Sequence, residues 1–287
     1  MSEIPADFVA DLQHLRPWPE LADSLWRSPV LVELTHGRLW RLVAEVLPSP
    51  PARVLDVGCG TGAQGLEMAR AGYEVTAIDP DPSTIEIAER SRHDSRPGRL
   101  TYHQGDVATW MADEGGGFDV ILSSRVLHHV PEPTAALERI HRWLRPGGQL
   151  VCVDFLHDRF DGRDARWVAQ IRGLLEAIGS YRREGLLPSS PDAAIERIAW
   201  EWEQDHVVDQ DLNGSAEIEE PLSRLFPTHT RSWHPYLYWD ILEGLDVPEP
   251  AIERATATLA ADWEASLLAA GELTPVLMRF VGYRDPS

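Results

Sequence analysis

The chain has 287 residues, of which 43% are hydrophobic, and a formal net charge of −20 at pH 7, so it has enough apolar residues for the core of a large α/β domain. The negative charge argues against a nucleic-acid partner, because phosphate contacts need a basic surface, and all 26 basic residues are arginine, which excludes Schiff-base chemistry on a lysine of this chain. No apolar run approaches the roughly 20 residues of a membrane helix and the acidic start lacks the features of a signal peptide, so we expect a cytoplasmic protein without a membrane partner.

The first clear element is a helix that begins at Ser28-Pro29, a helix-start signal. Apolar residues recur after it at helical spacing, namely Leu39, Leu42, Val43 and Val46. The proline-rich segment 48–51 then ends the helix. We therefore predict a helical N-terminal unit over residues 1–50.

A buried strand at residues 54–57 leads directly into a glycine-rich turn with Gly58, Gly60 and Gly62. A helix from Ala63 follows and is stopped by Gly72. Glycines at alternate positions let the backbone turn tightly and approach a ligand, and the helix start offers free N–H groups and the positive end of a dipole. The pattern predicts a nucleotide-type site, but the glycines alone do not separate an NAD enzyme from another nucleotide binder.

Four further strands are predicted at 73–78, 100–104, 118–122 and 149–154, with helices between them. The second strand delivers Asp79 seventeen residues after Gly62. A carboxylate at the tip of that strand can accept hydrogen bonds from both ribose hydroxyls, although Asp79 could instead cap the next helix. Strands that alternate with helices predict a parallel sheet.

About ninety residues follow the fifth strand before a long helix that ends at Gly271 and a strand over 273–283. Helical stripes of apolar residues run through 167–178 and 195–202, and a cluster of rings occupies 229–239. So many amphipathic rings suit a pocket that stacks a planar or cationic ligand, with His229, Trp233 and Tyr236 as candidate substrate-binding residues. Packing of the insert on the main domain is the alternative. Neither the histidines nor the two cysteines have the spacing of a metal site.

Five segments, in order, resemble the motifs of class I S-adenosylmethionine-dependent methyltransferases over roughly residues 54–154. They are Asp-Val-Gly-Cys-Gly-Thr-Gly at 56–62, Val-Thr-Ala-Ile-Asp-Pro at 75–80, Gln-Gly-Asp-Val at 104–107, Phe-Asp-Val-Ile-Leu-Ser-Ser at 118–124 with Leu-His-His-Val at 127–130, and Leu-Arg-Pro-Gly-Gly at 144–148.

The resemblance implies a Rossmann-like doubly wound sheet of about seven strands with a largely helical insertion after strand five. It also implies a lid at 1–50, a cofactor-binding core at 51–155, a helical acceptor-binding cap at 156–250, and a helix and strand at 251–287 that complete the core. The family usually closes its sheet with two strands, and only one is clear in this sequence.

The implied cofactor is S-adenosyl-L-methionine, with S-adenosyl-L-homocysteine as the product. The family's binding positions match Asp56, Gly58, Cys59, Gly60, Asp79, Pro80, Asp106, Val107 and Ser123, and a lid arginine, Arg38 or Arg41, could hold the methionine carboxylate. By resemblance Asp106 would accept a hydrogen bond from the adenine amino group, although an aspartate there could simply belong to a turn.

The Leu-His-His segment supplies the candidate catalytic residue. Adjacent helical residues point about 100° apart, so His128 and His129 cannot both face the transferred methyl group, and the resemblance favours His129. A histidine there could be a general base, a cofactor contact or part of the local structure. Arg125, just before it, is a candidate substrate contact.

We therefore expect a methyltransferase for a small molecule, an aromatic secondary metabolite, with oxygen, nitrogen and carbon nucleophiles all open. Two other classes remain: a cofactor-binding protein without catalysis, and an NAD-dependent oxidoreductase. The oligomeric state is left open.

Overall fold

The computed structural model describes residues 25–91, 98–111, 117–182, 190–208 and 212–286. Seven strands form its centre: β1 Arg53–Val57, β2 Glu74–Asp79, β3 Arg99–Gln104, β4 Phe118–Ser124, β5 Leu144–Phe155, β6 Thr228–His234 and β7 Leu277–Tyr283. The α-helices are α1 Pro29–Val32, α2 Arg38–Ala44, α3 Ala63–Arg70, α4 Pro82–Ser91, α5 Pro133–Trp143, α6 Gly162–Ala177, α7 Pro191–Glu203, α8 Ser215–Leu225, α9 Tyr238–Gly244 and α10 Pro250–Ala270. Two π-helical segments, Glu33–Gly37 and Gln204–Val208, interrupt this pattern.

The strands form one sheet in the order β3-β2-β1-β4-β5-β7-β6. Neighbours from β3 to β5 run parallel, whereas β7 is antiparallel to both β5 and β6. Val57 lies level with Ile78 on one side and Ser123 on the other, so β1, β2 and β4 end at the same edge. The strand order reverses between β1 and β4, and ligands of open α/β sheets bind in the crevice at such a point. The predicted Rossmann-like, doubly wound fold is confirmed.

Apolar side chains cover both faces of the sheet, because parallel strands are buried on both sides. One face packs against α1 to α3, α6, α9 and α10, with fully buried residues such as Leu31, Leu66 and Val151. The other packs against α5 and α8 through residues such as Leu137 and Leu222. The sheet is therefore the middle of three layers.

The C-terminal sheet edge differs from the sequence-based prediction. Residues 228–234, expected within the helical cap, form β6 and pair with β7 from Thr228 opposite Tyr283 to His234 opposite Leu277. This is the closing strand that the sequence did not reveal. Its residues are mostly polar and half-exposed, so they lack the apolar alternation that marks a strand.

The helical insertion is consequently divided into two parts. Helices α6 to α8 precede β6, while α9 and α10 lie between β6 and β7. The first part of the predicted lid, residues 1–24, lies outside the described residues. None of the helices that the structure describes is long and apolar enough to cross a membrane.

Candidate functional site

The glycine-rich turn after β1 has a backbone that only glycine accommodates at two positions. Gly58 has φ of +66° and a Cβ there would lie 2.4 Å from Val126 Cγ2. Gly62 has φ of +82° and a Cβ would lie 2.3 Å from the Tyr102 hydroxyl. Both positions combine a left-handed conformation with close packing, so the turn requires glycine for backbone and steric reasons together.

Asp79 is fixed at the end of β2, beside this turn. One carboxylate oxygen accepts the Gly60 N–H at 2.8 Å, and the other accepts the Asp81 N–H at 3.0 Å and the Thr84 hydroxyl at 3.1 Å. The side chain thus ties the glycine turn to the start of α4. It partly fills the capping role considered as an alternative, and it also borders the cavity described next.

The glycine-turn cavity, of about 210 Å³, lies at the carboxyl edge of β1 to β4. It is lined by Val57, Gly58, Asp79, Pro80, Gly105, Asp106, Val107, Arg125, Val126, His129, Val130 and Pro131. Five predicted cofactor residues, Gly58, Asp79, Pro80, Asp106 and Val107, are thereby brought together. Asp106 is also a turn residue, because one of its carboxylate oxygens accepts the Ala108 N–H at 2.6 Å.

The other predicted cofactor residues of the core do not line this cavity. Cys59 donates its backbone N–H to the Ile78 carbonyl at 3.0 Å, and its thiol packs against the apolar core. Among the described residues, one carboxylate oxygen of Asp56 and the Ser123 hydroxyl are buried without a hydrogen-bond partner. Burial, reinforced by the neighbouring Asp79 carboxylate, raises the pKa of Asp56 to about 7. A bound cation would stabilise the ionised form of Asp56.

The two adjacent histidines have different surroundings. His128 is buried, and its Nδ1 hydrogen-bonds to the Asp154 carboxylate. His129 faces the glycine-turn cavity. Burial and the proximity of His128 lower the pKa of His129 to about 4, so its imidazole is neutral at pH 7 but only weakly basic. The expectation that His129 is the one that reaches the cavity agrees with this placement.

A second space, the ring-lined cavity, has a volume of about 350 Å³. Its lining consists of Leu25, Trp26, His36, Arg125, Trp202, Asp205, His206, Tyr236, Trp239, Asp240 and Glu243. Around it seven rings follow one another with centroids 4.1 to 5.4 Å apart, in the order Trp26, His36, Trp239, Tyr236, Phe155, His206 and Trp202. A planar or cationic molecule would be stacked here.

Arg125 forms the wall between the two cavities, because it lines both of them. It has φ of +59°, and its N–H donates to the Val153 carbonyl at 2.7 Å. Its guanidinium lies 5.0 Å from the centre of the Trp239 ring. A non-glycine residue in the left-handed region is strained, and such strain often marks a functional site.

Sequence reasoning found Tyr236 and Arg125 but missed most of the ring-lined cavity. Its residues come from the segment before α1, both π-helical segments, α7 and α9. Two local signals were present: the ring cluster over 229–239, which contains Trp239, and the spacing of Trp202 and His206, which lie four residues apart with ring centroids 4.1 Å apart.

His229 and Trp233 do not line this cavity, so the structure does not bring them together with Tyr236. Successive residues of a strand point to opposite faces of the sheet, and both lie on the face covered by α8. His229 stacks on Phe280 at 4.7 Å, and the Arg159 guanidinium lies 4.2 Å from the Trp233 ring. Both side chains therefore pack at the β6 edge of the sheet.

Arg38 and Arg41 line a third cavity of about 230 Å³ together with Glu45, His234 and Trp239. No residue of the glycine-rich turn lines this cavity. Arg38 lies 3.4 Å from the Asp262 carboxylate and 5.7 Å from the centre of the Tyr238 ring. The structure therefore does not bring Arg38 together with the other predicted cofactor residues.

Comparison with known proteins gives a family match to the model described as "Methyltransferase domain", over residues 32–198. Two curated relatives are both named "Ubiquinone biosynthesis O-methyltransferase". The protein of Xanthomonas oryzae pv. oryzae (strain PXO99A) is 41% identical over 99 residues, which is 34% of this chain and 41% of the relative. That of Xanthomonas axonopodis pv. citri (strain 306) is 41% identical over 124 residues, 43% of this chain and 48% of the relative. The chain thus spans less than half the length of these relatives.

Solved structures share the fold at low sequence identity. A putative sarcosine dimethylglycine methyltransferase from Galdieria sulphuraria superposes with a TM-score of 0.55 at 14% identity, covering 98% of this chain and 99% of that one. The Haemonchus contortus phosphoethanolamine N-methyltransferase 2 in complex with S-adenosyl-L-methionine superposes with a TM-score of 0.52 at 17% identity, covering 87% of this chain and 52% of that one.

The family model covers more than half of the chain, and the sheet has the strand order and ligand edge expected of that family. The recognised cofactor of the family is S-adenosyl-L-methionine rather than NAD. This chain belongs to the class I S-adenosylmethionine-dependent methyltransferase family.

Proposed function

We propose that this protein transfers a methyl group from S-adenosylmethionine to a small aromatic acceptor. The observation that carries the proposal is the shared wall at Arg125, which makes the glycine-turn cavity and the ring-lined cavity neighbours at one edge of the sheet. A cofactor in the first and an acceptor in the second would be held next to each other. Such positioning supplies much of the rate acceleration of a displacement reaction.

The residues around the glycine-turn cavity fit the cofactor. Asp79 would accept hydrogen bonds from the ribose, and Asp106 and Val107 would border the adenine. The orphaned buried oxygen of Asp56 would place negative charge behind the turn, where it favours a cationic ligand. When bound, the cofactor supplies an activated methyl group on a sulfonium. The chain's own task is to orient both molecules and to exclude water.

Several features of the ring-lined cavity support an aromatic acceptor. Stacked rings offer flat apolar surface, while Arg125 offers a charged partner for polar substituents. The curated relatives are named as O-methyltransferases, which favours oxygen as the methylated atom. We therefore place phenols first among the candidates, ahead of amines and carbon nucleophiles.

The first experiment measures S-adenosylhomocysteine binding by calorimetry in the wild-type protein, in Asp79→Asn and in Asp81→Ala. Loss of a hydrogen bond to a charged group costs about 1.5–3 kcal/mol, so Asp79→Asn should weaken binding by about 10- to 100-fold. Asp81 is exposed and lies two residues away, so its variant is the matched control and should bind normally. Equal affinities for wild type and Asp79→Asn would remove Asp79 from the cofactor site.

A second experiment follows methyl transfer by mass spectrometry across phenols, indoles, amines and carboxylic acids. Turnover of phenols alone would establish the acceptor class. Cofactor binding without turnover of any class would instead favour a cofactor-binding protein that does not catalyse methylation.

A further inference from the structure

Each of the two π-helical segments places a histidine in the ring-lined cavity. Glu33–Gly37 carries His36, and Gln204–Val208 carries His206. Inserted π-helical turns are uncommon and occur frequently at functional sites, because they redirect side chains that a regular helix would point elsewhere. Because two such segments converge on one cavity, we infer that a histidine side chain has a function in this cavity.

The hydrogen bonding of His206 determines which of its nitrogens carries the proton. Nδ1 lies 2.8 Å from the Trp202 carbonyl oxygen. A carbonyl only accepts, so Nδ1 must be the donor, and in the neutral ring Nε2 then has a free lone pair. No residue that the structure describes hydrogen-bonds to Nε2.

The His206 ring is also held in place by its neighbours. Trp202 packs against it with centroids 4.1 Å apart, and Phe155 meets it edge-on at 5.3 Å. A hydrogen bond from one nitrogen together with two ring contacts fixes the direction of the other nitrogen. The side chain is thus preorganised to accept a proton.

The other histidines near the site are less suited to this role. His36 is stacked between Trp26 and Trp239 without a hydrogen bond, among the described residues, that would select its tautomer. His128 is buried with its Nδ1 committed to Asp154, and His129 lines the glycine-turn cavity rather than the ring-lined one.

We propose that His206 is the general base that deprotonates the acceptor in the ring-lined cavity. This inference rests on the proposed function. As the acceptor O–H bond breaks, the proton passes to Nε2 and the oxygen forms a bond to the methyl carbon. The carbon–sulfur electron pair stays on sulfur, and the imidazolium later releases its proton to solvent.

The protonation state of His206 is consistent with that role. Burial lowers its pKa, and His157 and His128 lower it further, whereas the Trp202 carbonyl and Asp205 act in the opposite direction. The ring is therefore neutral at pH 7. The charged groups that share the cavity with it are Arg125, Asp205, Asp240 and Glu243. Arg125 is the cation available to stabilise an acceptor anion.

The test uses 4-nitrophenol, whose phenolate absorbs visible light while the neutral phenol does not. The probe is titrated into protein saturated with S-adenosylhomocysteine, at a pH where the free probe is mostly protonated. Wild type should bind the probe and produce the phenolate band. His206→Gln should bind the probe with similar affinity and lose the band, whereas the control His103→Gln, at an exposed histidine of β3 that lines neither cavity, should keep it.

The outcomes separate this inference from the proposed function. Failure of wild type to bind S-adenosylhomocysteine would refute the proposed function itself. If that binding is intact, the base assignment is overturned by a probe that stays protonated on wild type or does not bind to it, by a band that survives in His206→Gln, or by a band that His103→Gln abolishes. With an acceptor that is turned over, His206→Gln should lower kcat by about 10²–10⁴-fold without changing cofactor affinity.

Discussion

Substitution of Gly58 by alanine should damage the glycine turn in two separable ways. The left-handed backbone, with φ of +66°, costs a non-glycine residue about 1–2 kcal/mol. The new Cβ would also lie 2.4 Å from Val126 Cγ2 and 3.0 Å from Cγ1, and overpacking of this kind costs about 1–3 kcal/mol. Urea unfolding should therefore show a total loss of about 2–5 kcal/mol, together with weaker S-adenosylhomocysteine binding.

Two other glycines of the chain serve as matched controls, because they share the left-handed backbone of Gly58 but have no close neighbour that an added Cβ would meet. Gly147 has φ of +75° and lies away from the cavities, and a Cβ added there would meet no atom within 4 Å, so Gly147→Ala should cost only the backbone term and leave binding unchanged. Gly60 has φ of +52° and equally open space, but its N–H donates to Asp79, the proposed ribose ligand, so Gly60→Ala should have the same small stability loss with weaker binding.

A double-mutant cycle isolates the steric term. Because Val126→Ala removes both clashing methyl groups, its combination with Gly58→Ala should recover about 1–3 kcal/mol relative to the sum of the single variants. A stability loss at Gly58 equal to that at Gly147, with no coupling to Val126, would refute the steric argument.

Two further predictions concern buried acids. Glu264 accepts the backbone N–H groups of Tyr236, Leu237 and Tyr238 at 2.7 to 3.0 Å, so Glu264→Gln should place an amide nitrogen, which cannot accept, against one of them and lower the free energy of unfolding at pH 5 by about 1–3 kcal/mol. Burial raises the pKa of Glu264 to about 7, so this loss should shrink at pH 8, where wild type carries the buried charge. The exposed Asp262→Asn on the same helix is the control, and an equal loss there would contradict the assignment. For Asp56, the folded-state pKa of about 7 lies above the ordinary 3.8, so its contribution to stability is fully present below pH 3.8 and is lost as the pH rises through 7. The stability of Asp56→Asn relative to wild type should accordingly improve between pH 5 and pH 8, by up to about 1.4 kcal/mol per pH unit, and a pH-independent difference in urea unfolding would show that Asp56 is not buried in this way.

Local sequence was sufficient for β1 to β5 and for the glycine turn between β1 and α3. Apolar runs bounded by turn residues specify a buried parallel strand within a few residues, and the glycines that the turn needs are close together in the chain. Asp79 was found for the same reason, since it directly follows a strand whose end is fixed by the sheet.

The sequence by itself therefore determined the family and the first five strands of the sheet with the glycine turn, because each depends on residues close together in the chain. Only the tertiary structure decided the rest. β6 is a polar edge strand that becomes recognisable when it pairs with β7, which lies more than forty residues later in the chain. The ring-lined cavity likewise gathers Trp26, Arg125, His206 and Trp239 from distant segments, and it excludes His229 and Trp233 because alternation along β6 turns them to the opposite face. Contacts of this kind arise from packing in three dimensions, which no local pattern records.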